Sequence, residues 1–325
     1  MMSDNPWEID ETKSGLVSIG SHRLQLSVTG PPRKPNEPAV VIMAGLTSSV
    51  LEWPATIRLL SRFVRTFSYE RSGFGASDNP PTEVQPTSTR MALELDLLLK
   101  AADIKPPYII VAHSYAGITS REFIHLHKDS LDDIAGVVFV DANTEETPPM
   151  RPDENIDAVL GELEGPEGLR IRSESCHKLL NAEWQALLEE EASARHEQTA
   201  NAEISFYQAS APVLKEKGHL EIGKAPLLGN RPVSVLQANY AQDLQKMYDA
   251  GVSAGNGTEA QRSLMRKFIS ETNEIEARMQ KEMLRLSTRS IFTFVPDSGH
   301  SIHMERPDAI ADQVQWVLDQ LKIKN

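Results

Sequence analysis

The stretch "IIVAHSYAGITS" (residues 109–120) runs from a block of apolar side chains straight into a serine set among small residues. "PYIIVA" (107–112) has the continuous apolar character of a buried β-strand, and the residues from 115 to 128 read as a helix. Ser114 therefore falls on a tight strand-to-helix turn. Such a turn strains the backbone and is tolerated where the residues two positions away are small. Ala112 and Ala116 meet that demand, and Gly117 relaxes it further. The turn carries the serine Oγ beyond the carboxyl edge of the sheet, where ligands of open α/β sheets bind. It also aims the N–H groups of a helix start toward developing negative charge. The plainer reading is that Ser114 caps the helix that follows.

Working outward, "GLVSIGSHRLQLSVTG" (15–30) alternates apolar and polar residues on either side of Gly20-Ser21, which predicts a β-hairpin. "AVVIMAG" (39–45), "TFSYE" (66–70) and "GVVFVDA" (136–142) read as further strands, with a helix near 52–62. A helix in "PTSTRMALELDLLLKAADI" puts Met91, Leu95, Leu98, Leu99 and Ala102 on one face, with Ser88 or Thr89 available as cap. This rhythm predicts a mostly parallel, doubly wound α/β sheet. It stops at 143–231, which carries charge-rich helical stretches and no apolar run of strand quality. The expected organisation is a core of 1–142 and 232–325 with a helical cap, 143–231, inserted after the sixth strand. "RPVSVLQA" (231–238) and "SIFTFV" (290–295) resume the sheet. A long helix at 258–286 is expected to align Leu264, Phe268, Ile275, Met279 and Met283, with "AGVSAGNGTEA" (250–260) as a loop before it. The last helix starts at Pro307 and is expected to bury Ile310, Val314, Val317 and Leu321.

Composition narrows the function. The 325 residues are 40% hydrophobic and 24% charged, an ordinary globular balance, with a net charge of -13 that disfavours nucleic acid as a partner. No run is apolar enough to span a membrane, and "MMSDNPWEID" is too polar for a signal peptide. Cytoplasmic residence is the default expectation. A single cysteine, Cys176, supports neither an internal disulfide nor a cysteine-rich metal site. Neither a phosphate-binding glycine loop nor a paired-histidine ligand motif is present, so no cofactor and no metal is expected. The expected partner is a small-molecule substrate; a homodimer stays open.

A serine hydroxyl needs a base in contact to attack at neutral pH. Of nine histidines, His300 in "FVPDSGHSIHMERP" follows the last strand and so falls at the same carboxyl edge, with Gly299 freeing the backbone. His303 is its close rival. His113 is expected to point away from the turn, His125 and His127 ride on the next helix, His177, His196 and His219 fall in the cap, and His22 in the hairpin. A carboxylate should fix the imidazole tautomer. Asp141, ending "GVVFVD", is the first candidate; Asp243 in "LQANYAQDLQKMY" is the alternative, and Asp297 is more remote. Leu46, in "IMAGLTSS", and Tyr115 could turn their N–H groups onto an oxyanion.

Together these motifs resemble the α/β-hydrolase superfamily. "VAHSYAG" resembles its serine elbow, "AGLTSS" with Trp53 downstream its oxyanion loop, "YERSGFGASD" its arginine-glycine turn, and "SGHSIHMERPDAI" its histidine loop. The resemblance covers 38–142 and 290–322. It implies Ser114 as nucleophile, His300 as base, and Leu46 and Tyr115 as oxyanion donors. The acid departs from the commonest pattern, since no aspartate closely follows Leu236; Asp141 matches a subset with the acid after the sixth strand. Arg71 reads as turn scaffolding or as a surface charge. Haloalkane dehalogenases and epoxide hydrolases of the superfamily carry aspartate at the elbow, so serine implies acyl transfer instead. The expected activity is hydrolysis of an ester or lactone of a small, fairly apolar molecule. Cleavage of a C–C bond or thioester by the same triad is the neighbouring alternative, and a binding protein on the same fold a third. Met150, Trp184, Phe206 and Tyr207 are candidates for the pocket wall, with Tyr115 at its base.

Overall fold

The computed structural model describes residues 4–147, 153–161 and 165–323. Met150 lies outside the described residues. The alternating segment near the N-terminus folds as a hairpin of β1 (Thr12–Ser18) and β2 (Arg23–Thr29), antiparallel, with Ser18 opposite Arg23. The apolar runs become β3 (Ala39–Met43), β4 (Thr66–Tyr69), β5 (Tyr108–His113), β6 (Ile134–Val140) and β7 (Val233–Ala238), and every residue of these five strands is buried. Covering both faces of a sheet is what demands an unbroken apolar run rather than alternation. β8 (Ser290–Val295) closes the far edge.

The strand order is β1-β2-β4-β3-β5-β6-β7-β8, parallel from β4 to β8 and antiparallel through β1 and β2. From β3 the chain passes to β4 on one side and then crosses back to β5 on the other. The direction of winding thus reverses between β3 and β5, and the carboxyl ends of those strands open a crevice there. Gly45–Thr47 and Ser114 emerge at that point.

The helices are α1 (Pro6–Ile9), α2 (Pro54–Leu60), α3 (Ser88–Ala101), α4 (Ala116–Leu126), α5 (Glu154–Leu160), α6 (Gly165–Ser173), α7 (Asn181–Glu191), α8 (Ala194–Lys215), α9 (Tyr240–Ser253), α10 (Glu259–Glu282), α11 (Ile302–Glu305) and α12 (Pro307–Lys322). Alternate residues of each central strand feed two core layers. Val41, Ile110 and Phe139 pack with Leu95, Leu98 and Phe123 of α3 and α4, whereas Ile42, Val111 and Val138 pack with Leu60, Ile310 and Val314 of α2 and α12. Each fully buried aliphatic side chain contributes about 1.5–3 kcal/mol relative to exposure. Helices α5 to α8 lie between β6 and β7 in the chain, and no described helix is long and apolar enough to cross a membrane.

Four local expectations need correction. Thr87, extended at φ -76°, caps α3 by accepting the Arg90 N–H; Ser88 is already in the first turn. Leu264 is 52% exposed, and the buried stripe of α10 runs through Met265, Ile269, Thr272 and Gln280, because Met265 and Ile269 meet Val159, Leu244 and Tyr248 of α5 and α9. Leu321, in the last turn of α12, is exposed. Helix α9 continues to Ser253, so the connection to α10 is shorter than 250–260.

Candidate active site

Ser114 follows β5 directly and adopts φ +53°, the left-handed region that a non-glycine residue enters only under constraint. Its N–H donates to the Val140 carbonyl at 3.1 Å, and its own carbonyl accepts from the N–H groups of Gly117 and Asn143, each at 2.8 Å. A Cβ on Gly117 would stand 2.3 Å from the Asn143 carbonyl oxygen, so only glycine allows α4 to approach the end of β6 this closely. Helix α4 has no side-chain cap at its N-terminus. The capping reading of the serine is therefore wrong.

Asp141 follows β6 at φ +43°. One oxygen, Oδ2, receives His300 Nδ1 at 2.6 Å. The other accepts the Ala238 N–H at 2.9 Å and Gln280 Nε2 at 2.7 Å, which fixes the carboxylate plane. Asp243 also reaches the histidine, but at the main chain: its Oδ2 accepts the His300 N–H at 2.8 Å. A Cβ on Gly299 would fall 2.0 Å from Asp243 Oδ1, so Gly299 is what lets that carboxylate in. Glu305 completes the loop by accepting the Gly299 N–H at 2.9 Å and the Ser173 hydroxyl at 2.9 Å. The two rival carboxylates thus divide the histidine between ring and backbone.

His113 does not stand idle beside the serine. Its Nε2 donates to the His300 carbonyl at 3.0 Å, and the two rings lie 4.6 Å apart. The residue before Ser114 is hydrogen-bonded to His300 itself, which holds the serine turn and the histidine loop together at one rim. The ring of His300 is 32% exposed, and its Nε2 makes no hydrogen bond among the described residues. His303 is different: fully buried, stacked on Trp53 and bonded to Glu52 at 2.8 Å, it has no exposed nitrogen for a substrate. Asp297 is engaged by Arg306.

Burial works against charge on His300, but the bond and charge of Asp141, aided by Asp243, outweigh it and raise its pKa above the ordinary 6.5. Burial, reinforced by His303 and His300, holds His113 neutral, well below 6.5. Burial raises Asp243, and burial with the nearby Asp141 charge lifts Glu276 to about 7.

The third strand delivers the other loop. A Cβ on Gly45 would stand 3.1 Å from the Cβ of Ser114, so this loop touches the turn. Leu46 packs with Tyr115, Met91 and Ile118. Among the described residues the N–H groups of Leu46 and Tyr115 have no acceptor, while their neighbours Thr47 and Ser114 spend theirs on Glu203 and Val140. Two unspent donors beside a serine are what a developing oxyanion requires. Glu52, His113 and His303 bring one potential metal ligand each within 4.8 Å. Glu52 and His303 already share a hydrogen bond of 2.8 Å.

Of the pocket candidates, Trp184 is buried against His177 and Leu187, Phe206 is half-buried, and Tyr207 meets Tyr115 edge-on at 5.2 Å. Arg71 is not a surface charge: it is buried and forked onto Glu203 of α8. Sequence reasoning missed Gln280 and Glu203. Gln280 had one signal, a polar residue in the apolar stripe of α10; Glu203, one of two acids in α8, had none, since no motif sets it apart.

A family model described as "Alpha/beta hydrolase family" matches residues 40–313. The AB hydrolase superfamily protein of Gibberella zeae is 27% identical over 327 residues, covering 97% of this chain and 98% of its own. The Probable transporter efuK of Hormonema carpetanum is 34% identical over 328 residues; the match covers all of this chain, which spans 45% of that protein's length. Among solved structures, a thermophilic esterase from Thermogutta terrifontis superposes with a TM-score of 0.59 at 18% identity, over 96% of this chain and 100% of that one.

Proposed function

The chain belongs to the alpha/beta hydrolase family, and from that premise we propose that it is a serine hydrolase acting on an ester or lactone of a small, fairly apolar molecule. Ser114 attacks the acyl carbon while His300 Nε2 takes its proton. The imidazolium that forms is stabilised by Asp141, which also keeps the ring in the tautomer with its proton on Nδ1. The oxyanion of the tetrahedral intermediate receives the N–H groups of Leu46 and Tyr115. His300 then returns the proton to the departing alcohol, a water enters, and the same base activates it to release the acid from Ser114. Helices α5 to α8 act as the cap over the substrate.

One observation carries this reading: Asp141 Oδ2 and His300 Nδ1 stand 2.6 Å apart, while the carbonyl of that same His300 is bonded to the residue preceding Ser114. Apolar selectivity is supported by Leu46, Met91, Tyr115 and Tyr207, which cluster beside the turn. Turnover of a panel of p-nitrophenyl esters, aryl lactones and β-diketones tests the reading. Ser114→Ala and His300→Ala are each expected to lower kcat by about 10⁴- to 10⁶-fold with an unchanged fold by circular dichroism. Wild-type rates in either variant would refute it. Preferential turnover of β-diketones would move the reaction to C–C cleavage.

A further inference from the structure

One face of α8 touches the loops after β3, β4, β5 and β6. Arg195, Thr199, Glu203, Tyr207 and Ser210 recur every three or four residues and so share a side of the helix. Arg195 donates to the carbonyls of Gly75 and Ser77, and the Thr199 hydroxyl shares its proton between the Arg195 carbonyl of its own helix at 2.9 Å and the Gly73 carbonyl at 3.2 Å. Glu203 is almost fully buried and receives Arg71 as a fork, at 2.6 and 2.8 Å. Its Oε2 also accepts the Thr47 N–H at 2.9 Å, while Arg71 donates to the Ala44 carbonyl at 3.0 Å. Leu46 therefore lies between two gripped residues. Thr47 sits at φ +58°, a strained position for a β-branched residue that needs an external hold. Further along, Ser210 Oγ and the Tyr115 hydroxyl are hydrogen-bonded at 2.7 Å, and Tyr207 accepts from Asn143.

We infer that α8 is a clamp that sets the spacing of the oxyanion hole: Glu203, with Arg71, positions the Leu46 N–H, and Ser210 positions the Tyr115 N–H. The inference rests on the serine-hydrolase reading above. The two donors come from loops after different strands, β3 and β5, and α8 bridges them. A buried carboxylate is costly unless its donors surround it, and here they do. Displacing α8 would release both donors at once, so seating of this helix becomes a condition for turnover. Glu203 and Ser210 are positioning residues, since neither touches the reacting atoms.

The test uses p-nitrophenyl butyrate as substrate, active sites titrated with a fluorophosphonate, and phenylboronic acid as a mimic of the tetrahedral state. Glu203→Ala is expected to lower kcat by about 10- to 100-fold with KM within about twofold, the loss that a shift of an ångström or so produces. Boronate affinity should fall in parallel, and Glu203→Gln, which keeps an acceptor for Thr47, should recover several-fold of both. Should Glu203→Ala not fold, Tyr115→Phe and Ser210→Ala carry the test, each with an expected loss of about 3- to 10-fold in kcat and in boronate affinity. Unchanged kcat and boronate affinity in the folded variants, or a rise in KM alone, would overturn the clamp. A wild-type protein that reacts with fluorophosphonate at Ser114 while the variants match it refutes the clamp only. A wild type that does not react there refutes the serine reading and the clamp with it.

Discussion

Asp141 and Asp243 show how two like residues acquire different work from their positions. Asp141 meets the ring of His300 and Asp243 meets its main-chain N–H. Because Asp141 raises the His300 pKa against the opposing effect of burial, Asp141→Asn leaves burial to pull it down. The proposed mechanism requires neutral His300, so the acid limb of kcat/KM should move to lower pH in this variant, with kcat down about 10³- to 10⁴-fold. Asp243→Asn keeps an acceptor for the backbone N–H and is expected to cost less than about 10-fold in kcat. Its acid limb moves in the same direction by less, since its charge contributes after that of Asp141. A pH–rate profile of both variants checks this; equal profiles would assign the ring to neither. In the sequence both carboxylates were visible as candidates, because Asp141 ends an apolar run and Asp243 follows the next strand. Their division was not visible, since it depends on Gly299 letting Asp243 approach to a distance that a Cβ would forbid.

At the scale of elements, legibility followed burial. Strands β3 to β7 are covered on both faces and read as unbroken apolar runs, so their places were found to within two residues. Helix α10 is covered on one side, and its sequence offers two adjacent apolar residues in two successive turns, Leu264 with Met265 and Phe268 with Ile269. Which of them is buried depends on what packs there, and α5 and α9 select Met265 and Ile269. Met265→Ala is therefore expected to destabilise by about 2–4 kcal/mol in urea unfolding, whereas Leu264→Ala should stay within about 0.5 kcal/mol. Equal losses would place both residues in the core. The cap of α3 went to Thr87 for a comparable reason: three consecutive hydroxyl residues could serve, and the backbone is extended at the first.

At the scale of the whole molecule, the reversal of winding between β3 and β5 brings Gly45–Thr47, Ser114, Asp141 and His300 to one edge, although they span most of the chain. That convergence was readable because each residue follows an apolar strand, and parallel strands present their carboxyl ends together. The region 143–231 was legible only as helical, since part of its docking runs through polar contacts such as Arg71 with Glu203 and Arg195 with backbone carbonyls, whose distant partners no local pattern names. The net charge of -13 makes neutral acyl compounds the better first probes, because the molecule's field repels anions. The proposed covalent step is open to direct capture on the intact chain. After rapid mixing with p-nitrophenyl acetate and acid quench, intact-protein mass spectrometry should find one acetyl group per chain, mapped to Ser114 and missing from Ser114→Ala. Release of p-nitrophenol with no adduct on the wild type, or the same adduct on Ser114→Ala, would contradict the acyl-enzyme and the serine with it.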